Sequence, residues 1–112
     1  MIIPCVRKGN EEQGIIWLSV TDITHLARKR NEVEFHTADG VYVRPNALDY
    51  WQVVLKEKGF ERLDWGVLVN LHKIAELDEK EHKIIIKDSR KSIVVAEKHI
   101  ENLKEFLKKG ES

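Results

Sequence analysis

Short periods dominate the pattern of apolar and polar positions. Val33, Phe35 and Thr37 alternate with Glu34 and His36, the period of two expected of a half-buried strand. Ile15-Ile16-Trp17-Leu18 is a compact apolar run behind Gly9-Asn10 and Gly14, so it reads as a strand after a turn, with Ile2–Arg7 as its partner. Ser19-Val20-Thr21-Asp22 supplies capping residues ahead of Ile23, enough for one helical turn. Asp39-Gly40 is a strong hairpin signal leading into Val41-Tyr42-Val43. Further strands are predicted over residues 74–77 and 83–87, either side of an acidic turn at 78–81, and over 92–95 after a turn at 88–91.

Two segments change to helical spacing. Pro45-Asn46-Ala47-Leu48-Asp49 opens the first, with Asn46 as its cap and Asp49 supporting the first turn. Leu48, Trp51 and Val54 or Leu55 share a face, and Lys56, Lys58 and Gly59 fit the C-terminal end. A terminal helix carries Ile100, Leu103, Phe106 and Leu107 as its stripe and ends at Lys108-Lys109-Gly110. Many short strands, one mid-chain helix and one terminal helix make a β-rich α+β chain.

Residues 60–74, FERLDWGVLVNLHKI, fit neither one helix nor one strand. Phe60 and Leu63 lead into Val67-Leu68-Val69, which stops at Asn70 and restarts at Leu71 and Ile74. Such a run suits a short strand, a turn held by a polar side chain and a second strand, because the Asn amide bonds nearby backbone and tolerates left-handed angles. Phe60, Arg62, Leu68, Val69, Asn70, Leu71 and Ile74 resemble the signature of the LytTR family of bacterial DNA-binding domains. The family's triplet before Val-Asn is usually a His, a polar or basic residue and a Ser; Asp64-Trp65-Gly66 stands here instead. The resemblance covers about residues 15–107, including an Ile23 strand, an Arg30-Asn31 turn and Leu48 on the helix.

That resemblance implies a mostly β fold with short helices: small stacked antiparallel sheets, a mid-chain helix and a C-terminal helix, in a single domain over 1–112. It implies a transcription regulator whose inter-strand loops enter the major groove of promoter DNA, with paired direct repeats as the sites. Three contact regions carry over. Arg28, Lys29, Arg30 and Asn31 supply cations and an amide for phosphate anchoring and base reading; the bland alternative is a basic turn that aids solubility. Arg62 and Trp65 flank the changed triplet, where Trp65 either stacks on the duplex or joins the core. Lys98, at the start of the terminal helix, is expected to pair with a phosphate. Asp64 and Glu97 add acids to two of these regions. The competing reading is therefore a LytTR-fold module that binds another protein or a second copy of itself. Only fourteen residues precede the matched region, so the expectation is a stand-alone regulator or a fragment of a longer response regulator.

Composition narrows the function classes. Nineteen basic and nineteen acidic residues cancel, whereas nucleic-acid-binding domains usually carry a basic excess. No apolar run approaches the ~18 residues of a membrane span, and the single cysteine, Cys5, rules out an internal disulfide and suits a cytoplasmic setting. His25, His36, His72, His82 and His99 are scattered without metal-ligand spacing, and His36 is expected to face solvent. No phosphate loop or activated nucleophile is evident, so no cofactor and no catalytic activity are expected.

Overall fold

The computed structural model describes residues 1–45 and 47–110, which form two compact units dividing after Leu71. The Asn46 cap predicted from sequence lies outside the described residues.

The first unit is a seven-stranded antiparallel sheet with one helix. Its strands are β1 (Ile2–Arg7), β2 (Ile15–Ser19), β3 (Ile23–Lys29), β4 (Glu32–Thr37), β5 (Gly40–Arg44), β6 (Phe60–Asp64) and β7 (Val67–Asn70), in the spatial order β2-β1-β5-β4-β3-β7-β6. The predicted β1–β2 pair is in place, with Pro4 opposite Trp17. The Asp39-Gly40 hairpin closes with Thr37 opposite Gly40. Gly40 has φ +153°, a backbone conformation that side chains rarely adopt, and the Arg7 guanidinium rests against its open side. Ser19–Asp22 delivers the predicted helical turn as a 3₁₀ turn over Val20–Asp22.

Helix α1 (Leu48–Leu55) buries Leu48, Trp51 and Leu55, the face its spacing predicted. A 3₁₀ turn over Lys56–Lys58 follows, and Gly59 ends it with φ 87°. The core gathers Ile23, Leu26, Phe35, Leu55, Phe60 and Leu68, all at 0–1% exposure. Phe35 meets Trp51 edge to face, with ring centroids 5.1 Å apart.

Strand β6 is the element the sequence pattern missed. Arg62 pairs with Leu68 and Asp64 with Val67, so Leu63 is the extra residue of a bulge. The bulge turns both Phe60 and Leu63 inward at a spacing of three, which breaks the alternation that identifies a strand.

The second unit holds a three-stranded antiparallel sheet, β10-β9-β8, made of β8 (Ile74–Asp78), β9 (Lys83–Ile86) and β10 (Ser92–Val94). Helix α2 (Ile100–Gly110) follows a 3₁₀ turn over Glu97–His99. Ile74, Ile84, Ile86 and Leu103 are buried there, while Phe106 and Leu107 are half-buried. The chain is mostly β with two helices, as the pattern and the resemblance imply. Among the described residues no helix is long and apolar enough to cross a membrane.

Candidate nucleic-acid interface

Four of the sequence-predicted cations, Arg28, Lys29, Arg30 and Arg62, lie at one end of the seven-stranded sheet. Arg28 and Lys29 are the last residues of β3, paired with Val33 and Glu32, so the loop itself is only Arg30-Asn31. Arg30 takes φ +53°, uncommon for a residue with a side chain. Because side chains alternate along a strand, Arg28 and Lys29 project to opposite faces. Arg28 N donates to Gly66 O at 2.8 Å, which sets the β6–β7 turn beside the end of β3.

That bond seats the changed triplet against Arg28. Trp65 is 71% exposed, which removes the core alternative, and the Arg28 guanidinium carbon lies 4.5 Å from its ring centroid. Stacking of this kind holds a flexible cation in one orientation and contributes about 0.5–1 kcal/mol at an exposed site. Among the described residues Arg28 has no hydrogen-bonding or ion-pairing side-chain partner, so its donors stay available.

Arg62 is engaged differently. Its Nε and Nη2 both donate to Trp65 O, and its Nη1 donates to Asp49 Oδ1 at 2.6 Å and Gln52 Oε1 at 2.9 Å. Four of the five guanidinium donors are thereby used within the protein. Arg62 fixes the Trp65 turn to α1, a role no sequence signal marked, since Asp49 and Gln52 read only as helix-surface residues. Asp64 also has a local role: its Oδ1 accepts from Trp65 N at 2.9 Å and closes the turn. Arg28, Arg30, Asn31 and Arg62 line a cleft of about 340 Å³, and Asp49 and Glu32 line it with them.

Asn70 lies at the opposite end of the same two strands. It is buried, and its Nδ2 donates to Ile23 O at 2.9 Å, tying the end of β7 to the start of β3. Its reach therefore extends beyond its own turn to a residue 47 positions away. In the second unit Lys98 is exposed in the 3₁₀ turn ahead of α2, next to the exposed Glu97.

One buried polar group escaped the sequence reading. His36 does not face solvent: its ring stacks on His25 at 4.3 Å, and its Nε2 lies 3.2 Å from Glu34 Oε1. Glu34 is 6% exposed and forms an ion pair with Lys8. Alternation placed Glu34 and His36 outward, but on this central strand Lys8, His25 and His36 pack around the carboxylate and bury it. Burial alone would raise the Glu34 carboxyl, yet hydrogen bonds from Lys8 and His36 outweigh it and hold the group below its ordinary range. Cys5 is 2% exposed, and burial pushes its thiol up to about 11, with the Arg44 charge pulling weakly the other way.

A model of the LytTr DNA-binding domain matches residues 13–108. The chain belongs to the LytTR family. The LytTR match spans all three contact regions and leaves β1 outside it. Among solved structures, the fold is similar to the LytTr DNA-binding domain of a proposed methyl-accepting/DNA response regulator from Bacillus cereus, with TM-score 0.75 and 13% identity over 95% of each chain. No curated protein matches this LytTR domain. The family is one of DNA-binding domains rather than enzymes.

Proposed function

We propose that this LytTR domain is a transcription regulator that binds double-stranded DNA. It enters the major groove with the β3–β4 loop, Arg30-Asn31, and the β6–β7 turn at Trp65. The observation that carries this reading is the Arg28 guanidinium seated on the exposed Trp65 ring, with its donors available. A planar fork held in one orientation suits bidentate bonding to guanine O6 and N7, worth about 1–3 kcal/mol of discrimination. Arg30 and Lys98 serve as phosphate anchors, Lys29 as a cation on the opposite strand face, and Asn31 as a loop amide able to bond adenine. Arg62 acts by holding Trp65 rather than by meeting DNA. Two copies on paired direct repeats is the arrangement the family resemblance implies.

The acids Asp49, Glu32 and Asp64 among these cations favour a second reading, a protein-interaction module on the same fold. Fluorescence anisotropy with a generic duplex at about 50 mM salt separates the two, since phosphate-driven binding is strongest there. Trp65→Ala and Arg28→Gln should each weaken binding about tenfold, or ~1.4 kcal/mol, with thermal midpoints unchanged. Equal affinity of both variants and the parent would overturn the assignment of this surface. Absence of duplex binding by the parent selects the protein module.

A further inference from the structure

Phe35 meets Trp51 of α1, so its strand neighbours Glu34 and His36 project to the other face of the sheet. There His36 sits beside His25, its partner across β3 and β4. The two imidazoles stack almost parallel, with centroids 4.3 Å apart and planes inclined by 13°. His25 is 6% exposed and the His36 side chain 14%. Neither ring takes part in the DNA contacts proposed above.

The hydrogen-bond network fixes one N–H on each ring. Thr24, the extra residue of a bulge in β3, has one hydroxyl proton and donates it to His36 O at 3.1 Å. Its Oγ1 therefore accepts from His25 Nδ1, 2.9 Å away. The Glu34 carboxylate can only accept, and it takes bonds from Lys8 Nζ and from His36 Nε2 at 3.2 Å. A second proton makes His36 an imidazolium bonded to that carboxylate, which the cluster accommodates. Charging His25 as well sets two cations face to face, and burial disfavours the second one further. Lys8 is already paired to the same carboxylate and offers the second cation no anion. The other neighbours on this face are Val41 across β5 and Val69 across β7. Glu61 of β6 lies beyond Val69, and Lys29 pairs with Glu32 nearer the loop.

We propose that the His25–His36 stack is a pH-sensitive latch on the β3–β4 strand pair, closed while at most one ring is charged and released when both are. In the unfolded chain both rings charge near pH ~6.5. The folded cluster binds one proton where the unfolded chain binds two. Stability is therefore complete above that pH and is lost as pH falls below it. Strand β3 runs on from His25 to Arg28, and β4 leads from the Arg30-Asn31 loop to Glu34. Releasing the latch thus also loosens the duplex-binding end. That consequence rests on the DNA reading; the latch itself does not.

Urea unfolding of the chain without DNA, from about pH 8 to about pH 5, tests the latch. The folding equilibrium constant should fall at least about tenfold between about pH 7 and 5, since one missing proton is worth up to about tenfold per pH unit. His25→Gln should reduce the fall to under about threefold, and His36→Gln should at least halve it on a logarithmic scale. His82→Gln, at an exposed position, should leave it whole. Should a variant fail to fold, NMR of the parent decides. Its His25 and His36 Cε1–H resonances should show one ring charging and the other staying neutral for as long as the near-UV circular dichroism persists. Both rings charging within the intact fold overturns the proposal. So does a parent whose stability does not fall, or a fall that His36→Gln leaves whole and so assigns to the burial of His25 alone.

Discussion

Asn70 is the one polar residue in the run from Val67 to Leu71, and it is buried with its amide bonded to Ile23 O. Asn70→Ala leaves that carbonyl unpaired and should lower stability by roughly 1–3 kcal/mol, read from the urea midpoint. An unchanged midpoint with weaker DNA binding would make Asn70 a contact residue instead. Its structural weight was legible because a polar side chain that interrupts an apolar run must be bonded once buried. Glu34 was not legible, because its partner Lys8 comes from 26 residues away. Its folded carboxyl titrates below the unfolded one. Its stabilising contribution is therefore complete above the unfolded value of about 4.3 and is lost as pH falls through the folded value. Glu34→Gln should cost roughly 1.5–3 kcal/mol near neutral pH, the range for hydrogen bonds to a charged group. Melting midpoints followed down to acid pH should show the gap from the parent closing below that range. A gap independent of pH would rule out the charge as its source.

At the scale of elements, the β6–β7 turn shows how the changed triplet was absorbed. Asp64 closes the turn by accepting from Trp65 N, Arg62 holds its carbonyl, and Arg28 covers the ring. The residue types alone left Trp65 open between core and surface. The bulge at Leu63 decides it, because it spends the inward direction on Leu63 and leaves the turn outside. Hairpins with clear turns and helices with clear stripes were readable; a strand with a bulge was not, since its inward residues lose the period of two. Asp64→Asn keeps an acceptor for the turn and removes the charge. If Asp64 repels phosphates, that substitution should raise affinity for generic duplex about fivefold, the ~1 kcal/mol of two unit charges 4 Å apart in water. If Asp64 instead reads a cytosine amino group, binding should fall by ~1–3 kcal/mol at one operator and nowhere else. Unchanged affinity on every duplex would place Asp64 away from DNA.

For the whole molecule, zero net charge counts against DNA binding only when charges are averaged over the chain. Arg62 is neutralised by Asp49 and Glu34 by Lys8, while Arg28, Lys29, Arg30 and Lys98 form no ion pair among the described residues. The residue types at the candidate site were legible from the family signature. Their division of labour was not, because it depends on which cations find acids across the fold. With Arg28 assigned to a base edge, two to three cations remain for phosphates: Arg30, Lys98 and, from the other face of the strand, Lys29. The dependence of duplex affinity on salt counts them directly. A plot of log K against log salt concentration should have a slope between about −1.8 and −2.7, at ~0.9 per phosphate contact, and Arg30→Gln should make it shallower by about 0.9. A slope of about −7 or steeper, or one that Arg30→Gln leaves unchanged, would contradict a DNA face built from these few cations.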